Sequence, residues 1–433
     1  MKARPRPNGD PPADVLRQGE AAKLVGELGP GLITGAADDD PSGIATYSQG
    51  GAQAGMALLW TLVLTYPLMS AVQLVSAEIG RVTGHGLARN MRRVFPAWLV
   101  MAMVALLFVA NTINIGADLA AMGSSAALVV GLSPHALTLA FAGLSLLLQL
   151  LVPYHRYAHL LKWMTLSLLA YVALLFTIRL DWRQIGLGLI IPRIGGRQDV
   201  VTIVAIFGTT ISPYLFFWQS AQEVEEIADH KGSRPLRFDG RSAGVRELGR
   251  IRFDTWTGMA FSNLVALAIM IGTAATLHAS GHTSIDTAAD AARALQPVAG
   301  RFSFLLFSLG VIGTGMLAVP VLAGSTAYAV AELRGWRSTL ASRVRDAKGF
   351  YAVIAGSTLF GIAIDWSPVD PVKALFWSAV LNGVVAVPLL IAMMLIVSNR
   401  GVMGRYRAGP RLLALGWACT AVMGAAAIGL FLP

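Results

Sequence analysis

The chain has 433 residues, of which 55% are hydrophobic and only 13% charged, with a formal charge of +10 and a mean hydropathy of +0.61. Ordinary soluble domains carry roughly 25% charged residues, so these figures exclude a water-soluble protein and predict a polytopic all-α membrane protein. The basic balance could suggest nucleic acid, but the charges sit in short loops between apolar stretches, which excludes that reading too.

Residues 1–24 are polar, contain Pro5, Pro7, Pro11 and Pro12, and lack the apolar core of a signal peptide. They are expected to form a flexible cytoplasmic tail. A membrane span needs about 20 mostly apolar residues, and eleven candidates follow: 27–53, 56–79, 98–128, 134–153, 159–179, 198–224, 254–279, 300–332, 348–366, 372–397 and 410–431. Arginines and lysines concentrate in alternate loops, around 81–93, 156–162, 231–252, 334–348 and 400–411. The positive-inside rule therefore predicts a cytoplasmic N-terminus in a cell (inner) membrane and an external C-terminus. The lone cysteine, Cys419, lies in the last span, so neither a disulfide framework nor a thiolate cluster is possible within the chain.

The first span carries Ala37-Asp38-Asp39-Asp40-Pro41-Ser42-Gly43 between apolar flanks. Pro41 lacks an N–H and clashes with the carbonyl one turn back, so the helix breaks there. Ionisable residues at membrane depth are costly and functional by default, and unwound backbone there survives only in a cavity or inside protein. The sixth span repeats the pattern with Gly208-Thr209-Thr-Ile-Ser212-Pro213-Tyr214. Interrupted spans at matching positions of two five-span runs point to the binding site of an inverted-repeat transporter.

The site chemistry then narrows. Asp40 precedes the proline, which biases it away from helical angles, and it is the expected principal metal ligand. Asp39 stands second, through water or directly, while Asp38 faces a vestibule or a polar partner. The two breaks free the carbonyls of Ala37 and Thr209, and Ser212 adds a hydroxyl. All these atoms are oxygen, which suits hard cations such as Mg²⁺, Mn²⁺ and Ca²⁺, and the small Gly43 leaves room for a hydrated ion. Asp118 in the third span is read either as a structural polar contact or as part of an ion pathway. Gln53, Gln73, Gln219 and Asn382 read as interhelical hydrogen-bonding residues. Glu223, Glu225 and Glu226 read as a solvated helix end.

These stretches resemble the NRAMP family of divalent metal transporters. Gly29-Pro-Gly…Asp40-Pro41-Ser42-Gly43 is similar to that family's first helix, Gly208…Ser212-Pro213-Tyr214 to its sixth, and Ala117-Asp118-Leu-Ala-Ala121 to its third. The resemblance implies a LeuT-like fold with two inverted five-helix repeats, residues 25–180 and 181–397, plus one extra helix in 398–433. It also implies that Asp40 is the metal-binding aspartate and that Gly43 replaces a metal-binding asparagine. Ser212 stands where the family has a soft methionine, Tyr214 and Gln219 where it usually has histidines, and Ala121 where it has a proton-linked glutamate. This pattern resembles the NRAMP-related magnesium transporter branch. It implies import of Mg²⁺ and Mn²⁺ by alternating access without proton coupling, with Asp118, Tyr214 and Gln219 along the ion pathway.

The expected protein is thus a transporter and not an enzyme, without cofactors, whose partners are the divalent ion and the lipid bilayer, and which works as a monomer. The rival readings are a proton-coupled Mn²⁺/Fe²⁺ importer, an organic-substrate symporter, and an intramembrane aspartyl protease. Three aspartates disfavour the symporter, because a substrate carboxylate docks on a helix N-terminus. A protease would need two aspartates on separate helices sharing a proton; Asp40 and Asp118 could formally serve, but no water-activating motif surrounds Asp118.

Overall fold

The computed structural model describes residues 34–35, 37–152, 166–229, 233–239, 241–337, 339–340 and 344–432. The tail at 1–24 and the start of the first span lie outside them. Among the described residues there are helices and turns but no strand.

Among the described residues fifteen α-helices of six residues or more define the architecture: α1 Pro41–Ala54, α2 Trp60–Thr83, α3 Leu87–Val94, α4 Ala97–Val130, α5 Pro134–Leu151, α6 Leu169–Thr177, α7 Trp182–Ile190, α8 Arg197–Thr210, α9 Pro213–Asp229, α10 Arg241–Thr276, α11 Ala288–Arg293, α12 Ser303–Arg334, α13 Lys348–Ile362, α14 Pro371–Ser398 and α15 Pro410–Gly429. Nine stretches of the described residues are long and apolar enough to cross a membrane, α8 and α9 together making one of them. They match the predicted second, third, fourth and sixth to eleventh spans. The described helices of the first and fifth spans are shorter: α1 has 14 residues, and Leu166–Thr177, which ends with α6, is a short apolar helix.

The helix ends follow the sequence. Pro41 opens α1 at its first position, where a missing N–H costs nothing. Gly84 and Gly131 close α2 and α4 in the left-handed conformation, with φ 66° and 71°, which only glycine adopts without strain. The sixth span breaks as predicted: α8 stops at Thr210, Ile211 leaves helical geometry at φ −116°, ψ 58°, and Pro213 starts α9.

The broken elements lie at the centre. α1 packs between α10 and α8, α9 packs on α2 and α12, and α4 lies against α12, α14 and α5. Close approach relies on small residues, as lipid-embedded packing requires. A Cβ on Gly208 of α8 would strike the Ala379 carbonyl and the Gly383 backbone of α14. The connections collect at two ends. One end is basic and carries α3 and residues 233–239, 335–337, 344–347 and 399–409, tied by Arg89 N–H to Glu332 at 3.0 Å and by Leu340 N–H to Glu225 at 2.7 Å. The opposite end joins 52–56, 177–197, 278–303 and 362–371, where Gln53 reaches Asp199 at 3.0 Å and Lys373 pairs with Asp286 at 3.0 Å.

Candidate metal-binding site

Asp40 sits at the start of α1 in extended geometry, φ −72° and ψ 171°, and caps the helix it precedes. Its Oδ1 accepts from the Gly43 N–H at 2.8 Å and the Ser42 hydroxyl at 2.6 Å. Its Oδ2 accepts from the Asn114 amide of α4 at 3.2 Å and lies 3.2 Å from the Tyr214 hydroxyl of α9. That hydroxyl is also 3.2 Å from the Ala37 carbonyl, so one phenolic proton serves two acceptors. Three elements, α1, α4 and α9, therefore converge on one carboxylate that is only 1% exposed. Each donor to it is neutral, and no cation is among its partners.

The remaining predicted residues fall at graded distances from this centre. Thr209 faces Ser42, with their hydroxyls 3.4 Å apart. Gly43 lies against them: a Cβ there would come within 3.3 Å of both the Thr209 hydroxyl and the Tyr47 ring. Ser212 is buried at the α8–α9 break but bonds back to the carbonyls of Thr209 at 2.7 Å and Gly208 at 3.1 Å. The Thr209 carbonyl freed by Pro213 is thus occupied by a hydroxyl of its own segment.

Asp38 and Asp39 turn away from Asp40 toward α10. Ser262 sits 2.7 Å from Asp38 Oδ2 and 3.1 Å from Asp39 Oδ1, so a single hydroxyl proton stands between two buried carboxylates. Asp38 has its expected polar partner, and its Oδ1 is buried without one. Gln219 lies farther along α9. It accepts from Thr34 at 2.5 Å and donates to Glu223 at 3.4 Å, about 7.5 Å of helix beyond Tyr214 at 1.5 Å per residue.

Asp118 lies one turn beyond Asn114 on α4, completely buried, and neither of its carboxylate oxygens has a protein hydrogen-bond partner. A structural polar contact for it is therefore not found. Gln53 does link α1 to α8, donating to Asp199 and accepting from Thr202 at 3.1 Å. Gln73 and Asn382 are buried with no such bond.

The glutamates at the end of α9 correct an expectation. They are not a solvated helix end. Arg250 of α10 lies 3.0 Å from Glu226, 3.4 Å from Glu247 and 3.7 Å from the buried Glu223, and Arg81 of α2 pairs with Glu247 at 3.0 Å. Glu225 accepts from Tyr328 at 2.5 Å. The sequence reading missed this network because its cations come from α2 and α10, far along the chain. It also passed over Asn114 and Ser262. Asn114 had a signal, since it shares a helix face with Asp118 four residues on; Ser262 had none.

Among the described residues no three His, Cys, Asp or Glu side chains gather in metal-ligating geometry. The arrangement around Asp40 is instead one carboxylate among hydroxyls, an amide and a carbonyl, which suits a hard ion that keeps part of its water shell. A cavity of about 330 Å³ between α1, α8 and α14 leads inward from the end opposite the basic one, past Gln53, Gln49 and Ala45, and includes Asp286 and Lys373 at its rim.

Comparison with known proteins places this geometry. The model of the Nramp family, natural resistance-associated macrophage protein-like, matches residues 31–433. The fold is similar to that of a manganese transporter from Eremococcus coleocola solved with an aromatic bis-isothiourea compound. The TM-score is 0.73 at 17% identity, over 94% of this chain and 86% of that one. It is also similar to Mhp1, a nucleobase-cation-symport-1 transporter in a closed conformation with bromovinylhydantoin bound, at a TM-score of 0.55 and 12% identity over 93% and 92%. The inward-facing form of Mhp1 matches with a TM-score of 0.53 and 11% identity. The architecture is LeuT-like, as expected.

Proposed function

The chain belongs to the Nramp family and is a divalent metal transporter, and on that premise we propose that it imports Mg²⁺ and Mn²⁺ without coupling to protons. The observation that carries the proposal is the donor set around Asp40. Every group within hydrogen-bonding distance of its carboxylate is an oxygen or nitrogen donor from Ser42, Gly43, Asn114 or Tyr214. Thioether and imidazole, which would favour transition metals, are not among them. Ser212 and Tyr214 supply hydroxyls where softer ligands would select Fe²⁺ or Cd²⁺.

The ion enters from the end opposite the basic one, through the cavity past Gln53 and Ala45. It replaces the protons that Ser42, Asn114 and Tyr214 direct at Asp40, and those same hydroxyls and amide turn to face its remaining water shell. The carbonyls of Ala37 and Thr209 are the next oxygens available if Tyr214 and Ser212 release them. Asp39 acts on the ion through water. Asp118, unpartnered one turn beyond Asn114, lines the onward path, because a passing cation supplies the partner its carboxylate lacks. Release requires the Arg250 network between α9, α10 and α2 to part. We place the basic end and the N-terminus on the cytoplasmic side of the cell membrane, and the two inverted repeats at 25–180 and 181–397.

The test is uptake into proteoliposomes carrying an internal pH dye, with Mg²⁺, Mn²⁺ and Cd²⁺ compared. Mg²⁺ and Mn²⁺ uptake without acidification is expected. Mn²⁺ and Cd²⁺ uptake with acidification and no Mg²⁺ transport would instead establish a proton-coupled importer and overturn the reading of Ser212, Tyr214 and Ala121.

A further inference from the structure

A cavity of about 610 Å³ opens at the basic end between the 84–86 turn, α3 and the last turn of α12. Arg89, Arg92, Arg93 and Arg334 line it. A second cavity, of about 490 Å³, shares Arg92, Leu333 and Arg334 with the first and continues up the outer groove between α4 and α12, past Met101, Ala105 and Phe108. One cleft is thus polar and cationic at its mouth and apolar along its length.

The protein offsets the charge at the mouth only in part, through Glu332 near Arg89. Among the described residues, none of these four guanidinium groups pairs with a carboxylate. The single carboxylate in the wall, Glu332, accepts instead from the backbone N–H of Arg89 at the start of α3. Arg92 donates to the Leu333 carbonyl at 2.9 Å, which fixes its guanidinium at the junction of the two cavities. Burial and the neighbouring Arg89 and Arg93 push His85 down to about 4, so it is neutral at pH 7 and adds no charge of its own. Burial, Arg89 and Arg237 likewise lower Arg93 from its ordinary value.

Loop arginines that only set topology extend into water. Here they face a concavity that joins an apolar groove, and the surroundings mark the depth of the membrane interface. α3 is amphipathic, burying Leu87, Ala88 and Met91 while exposing Arg89, Arg92 and Arg93, as an interfacial helix does. Trp98 and Trp336 flank the cleft at 67% and 45% exposure, in keeping with an aromatic belt.

We propose that this cleft binds an anionic phospholipid, its phosphate among Arg89, Arg92, Arg93 and Arg334 and an acyl chain in the α4–α12 groove. Basic pockets beside membrane spans recognise acidic headgroups. The groove commits the occupant to a lipid, since a free phosphate leaves the apolar half unfilled, and the unpaired guanidinium groups commit it to a negatively charged headgroup. The site is independent of the metal path. Its occupant would brace α4 against α12, and α4 carries Asn114 and Asp118.

The full-length protein in neutral detergent can be examined by native mass spectrometry and thermal unfolding with phosphatidylglycerol, phosphatidylcholine or inorganic phosphate. Phosphatidylglycerol is expected to stay bound and raise Tm, phosphatidylcholine to be retained far less, and phosphate alone to do neither. The double variant Arg92→Gln/Arg334→Gln should weaken phosphatidylglycerol binding about thirtyfold, from about fivefold per basic residue. Ala105→Trp, on the exposed wall of the groove, should weaken it without altering any charge. Equal retention of the two lipids, full protection by phosphate alone, or unchanged lipid binding in both variants would overturn the proposal.

Discussion

At Asp40 a single carboxylate answers to four partners from α1, α4 and α9. Removing it leaves the Asn114 amide without its acceptor and the Tyr214 hydroxyl with the Ala37 carbonyl alone, but these groups are neutral, so the fold should survive while uptake stops. Asp40→Ala is therefore expected to abolish metal uptake in proteoliposomes with normal expression and a normal elution profile, and transport at the parent rate would remove the assignment. Ser212 tests selectivity at the same scale. Its hydroxyl bonds only to carbonyls of its own segment, so Ser212→Met frees the Thr209 carbonyl and brings a thioether to the break. Cd²⁺ inhibition of Mn²⁺ uptake should then tighten by about tenfold or more, because soft ligands favour soft metals; an unchanged inhibition constant would show that residue 212 does not reach the ion. Asp40 was readable from the sequence because a carboxylate followed by proline in an apolar stretch has few innocent explanations. Asn114 had only the helix face it shares with Asp118 to mark it, and Ser262 and Ser378, which donates to Asn114 at 2.6 Å, had nothing. Their importance arises from which helices meet, and a lone hydroxyl in a span carries no local mark of that. Gln219, expected to hydrogen-bond between helices, does link Thr34 of the first span to α9, more than a turn beyond Tyr214 and next to Glu223.

The elements divide by how local their causes are. The two breaks were readable because Pro41 and Pro213 act within one turn. The closure at the basic end was not, because it is assembled from α2, α9 and α10. There Arg250 holds Glu223 and Glu226 of α9, and Glu247 links it to Arg81 of α2. Removing one member of a partly buried ion network leaves its partners uncompensated, at a cost of about 3–5 kcal/mol when burial is complete and less here, where Arg250 is 18% exposed. Arg250→Ala should therefore favour the state in which α9 parts from α10. Ser220 lies one residue from Gln219 on α9 and is fully buried, so Ser220→Cys provides a reporter of that parting. In the Arg250→Ala background its thiol should react faster with a water-soluble maleimide applied from the basic side, whereas an unchanged rate would mean that the network is structural only.

For the whole molecule the question is what drives the ion. On the proposed reading Ala121 stands where the resemblance implies a proton-linked glutamate, and among the described residues α4 offers only Asp118 as a buried titratable group beside the Asp40 site. An uncoupled carrier has one other source of direction, the membrane potential. Moving one charge through 100 mV is worth about 2.3 kcal/mol, so a divalent ion gains about 4.6 kcal/mol, enough for roughly three decades of accumulation. Proteoliposomes holding a potassium gradient provide the test. With valinomycin set to make the interior negative, Mg²⁺ uptake should rise steeply, and at zero potential it should stop when internal and external Mg²⁺ are equal. A proton gradient imposed at zero potential should add nothing. If that gradient instead drives Mg²⁺ above its external concentration, a proton path exists in spite of Ala121, and Asp118 is the first residue to replace. Asp118→Asn would then abolish the pH-driven component, while in the uncoupled protein it slows passage of the ion and leaves the voltage dependence intact.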